Sequence, residues 1–238
     1  MPAPTISIVI PAFNEEQHLE QTVLGVIGLL DSSVGRDSEI LIFDDGSTDG
    51  TGVIAEELSQ RYPFIRSFHF KQNQGLGHVA RRAIKEAGKD YIMWHTGDGS
   101  VDSRSLVPAM RSIGKADIIV AYLENQNDRI WIRSALSRSF VALYNVLFHL
   151  KLRYYSGPSI FPCEVLRSLS IKSGRYEFWA EIMVRCLKLG LTHIEMPFVH
   201  NPPADNSLAT VRPKNVGNAL RIALILMNDL YLRKNVRG

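Results

Sequence analysis

Cysteine is nearly absent from this chain: 2 residues in 238, Cys163 and Cys186, with no metal-ligand spacing. A disulfide framework is thereby excluded, and a reducing compartment fits. Long apolar runs are missing as well. No uninterrupted stretch reaches the ~18 apolar residues that a membrane span needs. The best candidates, Phe140–Leu150 and Leu220–Leu232, are broken by Asn, His and Asp. Met1–Glu16 has no basic segment and too short an apolar run for a signal peptide. A cytoplasmic location is expected, with peripheral membrane contact open. Basic residues are scarce at the start: residues 1–60 hold eleven acids and one base, Arg36, so the other twenty-six bases follow. The later, basic part suits an anionic partner such as a phosphate or a membrane surface, although a solvated surface looks the same. Glycine is missing from Pro11–Glu16, the loop after the first apolar run. This argues against a Rossmann oxidoreductase, which needs a Gly-x-Gly-x-x-Gly there, and against a nucleotidyltransferase with a Gly-rich phosphate loop.

What is present is an alternation. Ile6–Ile10, Ile40–Phe43, Ile65–Phe70, Tyr91–Trp94 and Asp117–Ala121 are short runs rich in Ile, Val and aromatics, and predict buried strands. Between them Glu15–Leu30, Thr51–Arg61, Leu76–Ala87 and Ser103–Ile113 carry apolar residues at helical spacing. Alternation of this kind predicts βαβ units and a mostly parallel sheet flanked by helices, an α/β fold. After Ala121 the pattern changes. Arg129–Arg153 reads as a long helix with five bases and no acid. A turn follows at Ser156-Gly157-Pro158, with helices near Pro162–Leu169 and Phe178–Leu189, a strand at His193–His200, a polar loop at Asn201–Thr210 and a helix at Asn215–Leu232. One domain, 1–238, is expected, with halves at 1–122 and 123–238.

Ligands of open α/β sheets bind beyond the carboxyl ends of the strands, so the polar loops there carry the chemistry. Four stand out. In Pro11-Ala12-Phe13-Asn14-Glu15-Glu16, Pro11 ends the strand and Asn14 suits a helix cap. Asp44-Asp45-Gly46-Ser47-Thr48-Asp49-Gly50 has two adjacent carboxylates, more than a cap requires, which can accept from a base or ribose. Asn73-Gln74-Gly75-Leu76-Gly77 places two glycines at a helix start, where backbone can approach a ligand. In Trp94-His95-Thr96-Gly97-Asp98-Gly99-Ser100, Asp98 sits between glycines, where a hard divalent cation bridging phosphates would want a carboxylate.

The order of these loops resembles the family-2 glycosyltransferases of the GT-A fold, and within them the dolichol- or polyprenyl-phosphate sugar synthase branch. Looser similarity extends through Tyr154–Pro158, Glu177-Phe178-Trp179-Ala180-Glu181, and Met196–His200 with Ser207. The resemblance implies a GT-A, Rossmann-like sheet whose 1–122 half binds a nucleoside-diphosphate sugar and whose helical 123–238 half faces the acceptor. It implies that Pro11, Phe13 and Glu15 hold the base, that Asp44 and Asp45 contact base and ribose, and that Gly75 and Gly77 lie beside the nucleotide. Asp98 matches the second carboxylate of an Asp-x-Asp metal motif.

The first carboxylate of that motif is Thr96 here, a poorer ligand for Mg²⁺ or Mn²⁺. His200 is a candidate extra ligand, since imidazole suits Mn²⁺ better than Mg²⁺; a strand-end histidine bonded to backbone is the plainer reading. The implied reaction is inverting transfer of a sugar from the nucleoside diphosphate to an acceptor, a polyprenyl phosphate by resemblance, and no nucleic-acid partner is expected. Arg129 and Arg133 are candidates to clamp the diphosphate, together with Arg138. Glu181 matches an acceptor-side carboxylate, the general base that a hydroxyl acceptor would need; an ionised lipid phosphate needs none. Trp131, Ile132, Leu136, Phe140, Leu143, Tyr144, Leu147 and Phe148 recur at helical spacing with flanking bases, the pattern of an interfacial helix and also of a core helix, the commoner case. Two alternatives stay open: a hydroxyl acceptor on a glycan or small molecule, and a catalytically impaired sugar-nucleotide-binding subunit.

Overall fold

The computed structural model describes residues 4–35, 37–124, 131–201 and 213–232. Three βα alternations and a fourth strand build the first half: β1 (Ile6–Ala12), α1 (Leu19–Ser33), β2 (Glu39–Asp44), α2 (Thr51–Arg61), β3 (Ile65–His69), α3 (Leu76–Glu86) and β4 (Tyr91–Trp94). A 3₁₀ turn at Ser103–Leu106 and the single turn α4 (Val107–Met110) lead to β5 (Ile118–Leu123). The second half holds α5 (Trp131–Phe148), β6 (Ile160–Pro162), α6 (Cys163–Ser168), α7 (Phe178–Lys188), β7 (His193–Phe198) and α8 (Pro213–Met227), with a π-helical turn at Asn228–Leu232. The sheet has seven strands in the order β3-β2-β1-β4-β6-β5-β7. Only β6 is antiparallel to its neighbours. The expected mostly parallel α/β sheet is therefore what forms.

The sheet buries both faces, as a parallel sheet must. On one side α1, α2 and α4 close over Ile6, Ile8, Ile10, Ile40 and Ile42. On the other, α3, α5, α6, α7 and α8 close over Val9, Leu41, Phe43, Ile92 and Trp94. Alternate residues of β1 and β2 thus serve different cores, which explains their near-continuous apolar sequence.

Several boundaries differ from expectation. Pro11 does not end β1: the strand runs on to Ala12, with Pro11 level with Phe43 of β2. The Ala12 carbonyl accepts from Asp45, so Pro11, on the alternate register, faces β4. Pairing with β4 has already stopped at Val9, so the missing N–H deprives no ladder bond. Helix α1 starts at Leu19 rather than Glu15; before it the Glu15 and Glu16 amides donate to Thr51 Oγ1 (2.7 Å) and Asp49 Oδ2 (3.3 Å) of the next loop. Asn14 caps nothing. It adopts a left-handed backbone, φ 56°, and its side chain accepts from the Thr48 amide at 2.9 Å. The helix expected at Ser103–Ile113 breaks into two short turns around Pro108. Strand β6 is unexpected: Ile160 and Phe161 fall between the expected turn and helix, and three residues are too few to show an alternation.

Candidate functional site

The four loops converge at the carboxyl ends of β1, β2 and β4. The first two are laced together: the Asn14 amide donates to Ser47 Oγ (3.0 Å) and the Gly50 amide to Glu16 Oε2 (2.8 Å). Asp44 and Asp45 are both buried. Asp44 accepts from the Ser47 amide at 2.9 Å and lies 3.2 Å from His69 Nδ1. Asp45 accepts from the Gln74 and Gly75 amides at 2.8 and 2.9 Å, and so holds the third loop against the second. Gly75 has φ 85°, a conformation that favours glycine. A Cβ on Gly77 would overlap the Ser173 carbonyl oxygen, so that position needs glycine for close approach. Phe13 is exposed beside these loops.

The fourth loop is the most constrained. A Cβ on Gly97 would lie 2.7 Å from the Pro11 carbonyl oxygen, so the turn rests directly on β1. Asp98 Oδ1 accepts from the Ser100 amide at 3.0 Å and from its hydroxyl at 2.5 Å. Burial pushes the Asp98 carboxyl up, but the Ser100 donors, the Thr96 hydroxyl and the nearby His200 more than offset it and hold it below the usual value. Asp98 is therefore ionised at neutral pH. The Glu15 carboxyl is raised, first by burial and then by the negative charge of Asp98, with His18 acting against both.

His95 anchors the turn from beneath. It is fully buried, with Nδ1 2.9 Å from the Thr96 carbonyl and Nε2 3.0 Å from Ser103 Oγ. The neutral ring with its proton on Nδ1 satisfies both: it donates to the carbonyl and accepts from the hydroxyl. Burial lowers its pKa, against the pull of Thr96 and Asp98. On unfolding His95 returns to its ordinary value near 6.5, so below that pH the unfolded chain binds a proton that the folded one does not. Stability should fall as pH drops below about 6.5, at up to about 1.4 kcal/mol per pH unit from this residue. Urea midpoints measured between pH 7 and 5 should drop more steeply for the parent chain than for His95→Gln. Equal slopes would contradict the assignment.

A cavity of about 520 Å³ opens beside Asp98, within the size range of small-molecule sites. Its lining includes Pro11, Trp94, Thr96, Asp98 and Ser100 together with Tyr176, Glu177, Trp179, Phe198 and His200. His200 follows β7 and bridges to Val101, while the Asn201 amide donates to the Ser100 carbonyl at 2.7 Å. Asp98 and His200, from chain segments a hundred residues apart, thus line one cavity. Helices α5 and α8 shape its mouth with Leu136, Phe140, Leu143 and Leu220. Leu136, Leu143 and Leu220 remain 41, 38 and 48% exposed. Helix α5 has two apolar faces: Tyr144 and Phe148 are in the core, whereas Leu136 and Leu143 stay at the mouth. The core reading of this helix holds for Tyr144 and Phe148.

Glu181 does not line the cavity. It is fully buried and accepts from the Lys172 and Ser173 amides, the Ser173 hydroxyl and Arg185. The glutamate that does line it is Glu177, one helical turn earlier, at the start of α7. A signal for this was available: Phe178–Val184 is apolar on every side except at Glu181, and such a helix buries whatever it carries. Arg129, the Arg133 side chain and Ser207 lie outside the described residues.

The sheet order, with a carboxylate loop after β4, is that of the expected GT-A fold. The model for "Glycosyl transferase family 2" matches residues 7–169, and the chain belongs to that family. It is 26% identical over 216 residues to glycosyltransferase AglD of Haloferax volcanii, covering 87% of this chain and 35% of that one. It is 26% identical over 200 residues to the undecaprenyl-phosphate mannosyltransferase of Micrococcus luteus, covering 79 and 80%. The chain thus spans about a third of the length of the first relative and most of the second. Among solved structures, glucosyl-3-phosphoglycerate synthase of Mycobacterium tuberculosis in complex with UDP superposes with a TM-score of 0.69, at 19% identity, over 92% of this chain and 80% of that one. No helix among the described residues is long and apolar enough to cross a membrane.

Proposed function

We propose that this glycosyltransferase moves a sugar, with inversion, from a nucleoside diphosphate sugar to a polyprenyl phosphate. The observation that carries the reading is the cavity's mixed lining: the ionised carboxylate of Asp98 and the part-exposed leucines of α5 and α8 border the same space. A sugar nucleotide suits the first and a lipid phosphate the second. The undecaprenyl-phosphate mannosyltransferase relative, which is matched along most of its length, supports the same acceptor class.

In this reading the nucleotide lies along the loops braced by Asp44 and Asp45, with Pro11, Phe13 and Glu15 toward its base and the Gly75–Gly77 backbone beside it. A buried anion facing a diphosphate is unfavourable without a cation between them. The residues fit one: Asp98 and His200 would hold it, and the set suits Mn²⁺ better than Mg²⁺. Among the described residues no group of three or more His, Cys, Asp or Glu side chains forms a complete metal cage; phosphate oxygens and water would complete the shell. Such a cation supplies charge neutralisation at the leaving diphosphate. Thr96 contributes a hydroxyl in place of a second carboxylate and, with Ser100, keeps Asp98 ionised.

An already ionised phosphate attacks without a base. A second reading, transfer to a hydroxyl, is favoured by one observation, the presence of Glu177 in the cavity wall. Glu177→Gln separates them. With a polyprenyl phosphate acceptor, kcat should change by less than about tenfold; loss of the general base for a hydroxyl acceptor would cost about 10²–10⁴-fold. A loss of the larger size would contradict the lipid-phosphate acceptor.

A further inference from the structure

The buried Glu181 and the C-terminal Asp229 belong to one chain of charges that ends on the donor loop. Asp229, in the turn after α8, accepts from Lys172 Nζ at 2.7 Å and from Arg185 at 3.0 Å. Arg185 donates to Glu181 at 3.0 Å. Glu181 then gathers the Lys172 and Ser173 amides at 3.0 and 2.8 Å, together with the Ser173 hydroxyl. The segment held in this way packs on the glycine loop. The Gly77 amide donates to the Gly174 carbonyl at 3.1 Å, and the Ser173 carbonyl fills the space where a Gly77 side chain would stand. Arg81 of α3 donates to that carbonyl at 2.6 Å, clamping it from the other side. Helix α8 itself enters the cavity mouth through Ala219 and Leu220.

We infer that Glu181 and Asp229 are positioning residues: they set the height of residues 172–174, and through them the Gly75–Gly77 backbone that faces the donor, and they tie that backbone to the acceptor-side helix. Simple packing would not need this arrangement. A fully buried carboxylate that collects two backbone amides, a hydroxyl and a guanidinium fixes one loop geometry, because any shift leaves a buried charge short of partners. The inference rests on the proposed nucleotide reading of the glycine loop.

The test uses Asp229→Asn, at the outer, partly buried end of the network, and Glu181→Gln at its centre. UDP and GDP are titrated into each by calorimetry with Mn²⁺ present, and amide exchange is followed at Gly77 and His78 without ligand. Asp229→Asn should weaken nucleotide binding roughly tenfold, within the 5–150-fold span of typical coupling between sites. It should raise donor KM with kcat at saturation unchanged, and speed exchange at Gly77. Glu181→Gln should do the same more strongly. If both variants lose thermal stability yet bind nucleotide and protect Gly77 as the parent does, the role is structural only and the inference fails. If the parent binds neither nucleotide, the donor reading fails by itself, and unchanged Gly77 exchange in Asp229→Asn still separately overturns the coupling.

Discussion

Asp98→Asn should lower the transfer rate about 10²–10³-fold, the cost of removing one electrostatic stabiliser from an active site. The side chain keeps its shape and one oxygen for the Ser100 donors, so the turn should persist and the thermal midpoint should change little. What it loses is the charge. Asp98 is held ionised, despite its burial, by Ser100, Thr96 and His200, and an amide offers a cation far less. Nucleotide binding by Asp98→Asn should accordingly lose its dependence on Mn²⁺, while the parent's affinity should fall on chelation. Single-turnover rates and calorimetry with and without chelator check both. A variant with near-parental rate and intact Mn²⁺ dependence would remove Asp98 from the reaction.

The second large effect concerns the mouth. Leu143→Ser combined with Leu220→Ser should weaken use of a long polyprenyl phosphate and spare a short, soluble one. Full burial of a leucine contributes about 1.5–3 kcal/mol. These two are already partly covered, at 38 and 48% exposure, so roughly 1 kcal/mol each remains for a lipid to gain. Together that is about 30-fold in acceptor KM, with kcat unchanged. Equal losses for long and short acceptors would mean that the leucines shape the protein rather than meet the lipid.

The fold was legible because its signals are local. Buried parallel strands must be apolar throughout, and β1, β2 and β4 stood out for that reason. Loops following such strands at the binding edge drew attention to Asp98 and to the Asp44-Asp45 pair. What stayed hidden depends on partners remote in sequence. Asn14 reads as a cap from its neighbours, yet its bond is to Thr48. Pro11 reads as a strand end, but the missing donor is harmless because β4 stops short. Glu177 and Glu181 lie one turn apart at the start of α7; the apolar run around Glu181 signals its burial, but its partners in the 172–174 segment are remote from that run and do not show in it. The meeting of Asp98 with His200 follows from the β5–β7 pairing, which carries the end of β7 to the fourth loop.

The account's central claim is that one cavity joins a sugar-nucleotide end to a lipid end. Its most direct test is transfer itself: the chain, Mn²⁺, UDP- or GDP-sugars labelled in the sugar, and a polyprenyl phosphate, followed by phase partition. Label should enter the organic phase only with enzyme, one nucleotide class and the lipid phosphate together, with inversion at the anomeric carbon. Label that stays in the aqueous phase with every donor, or that moves as readily to a hydroxyl acceptor as to the lipid phosphate, would contradict it.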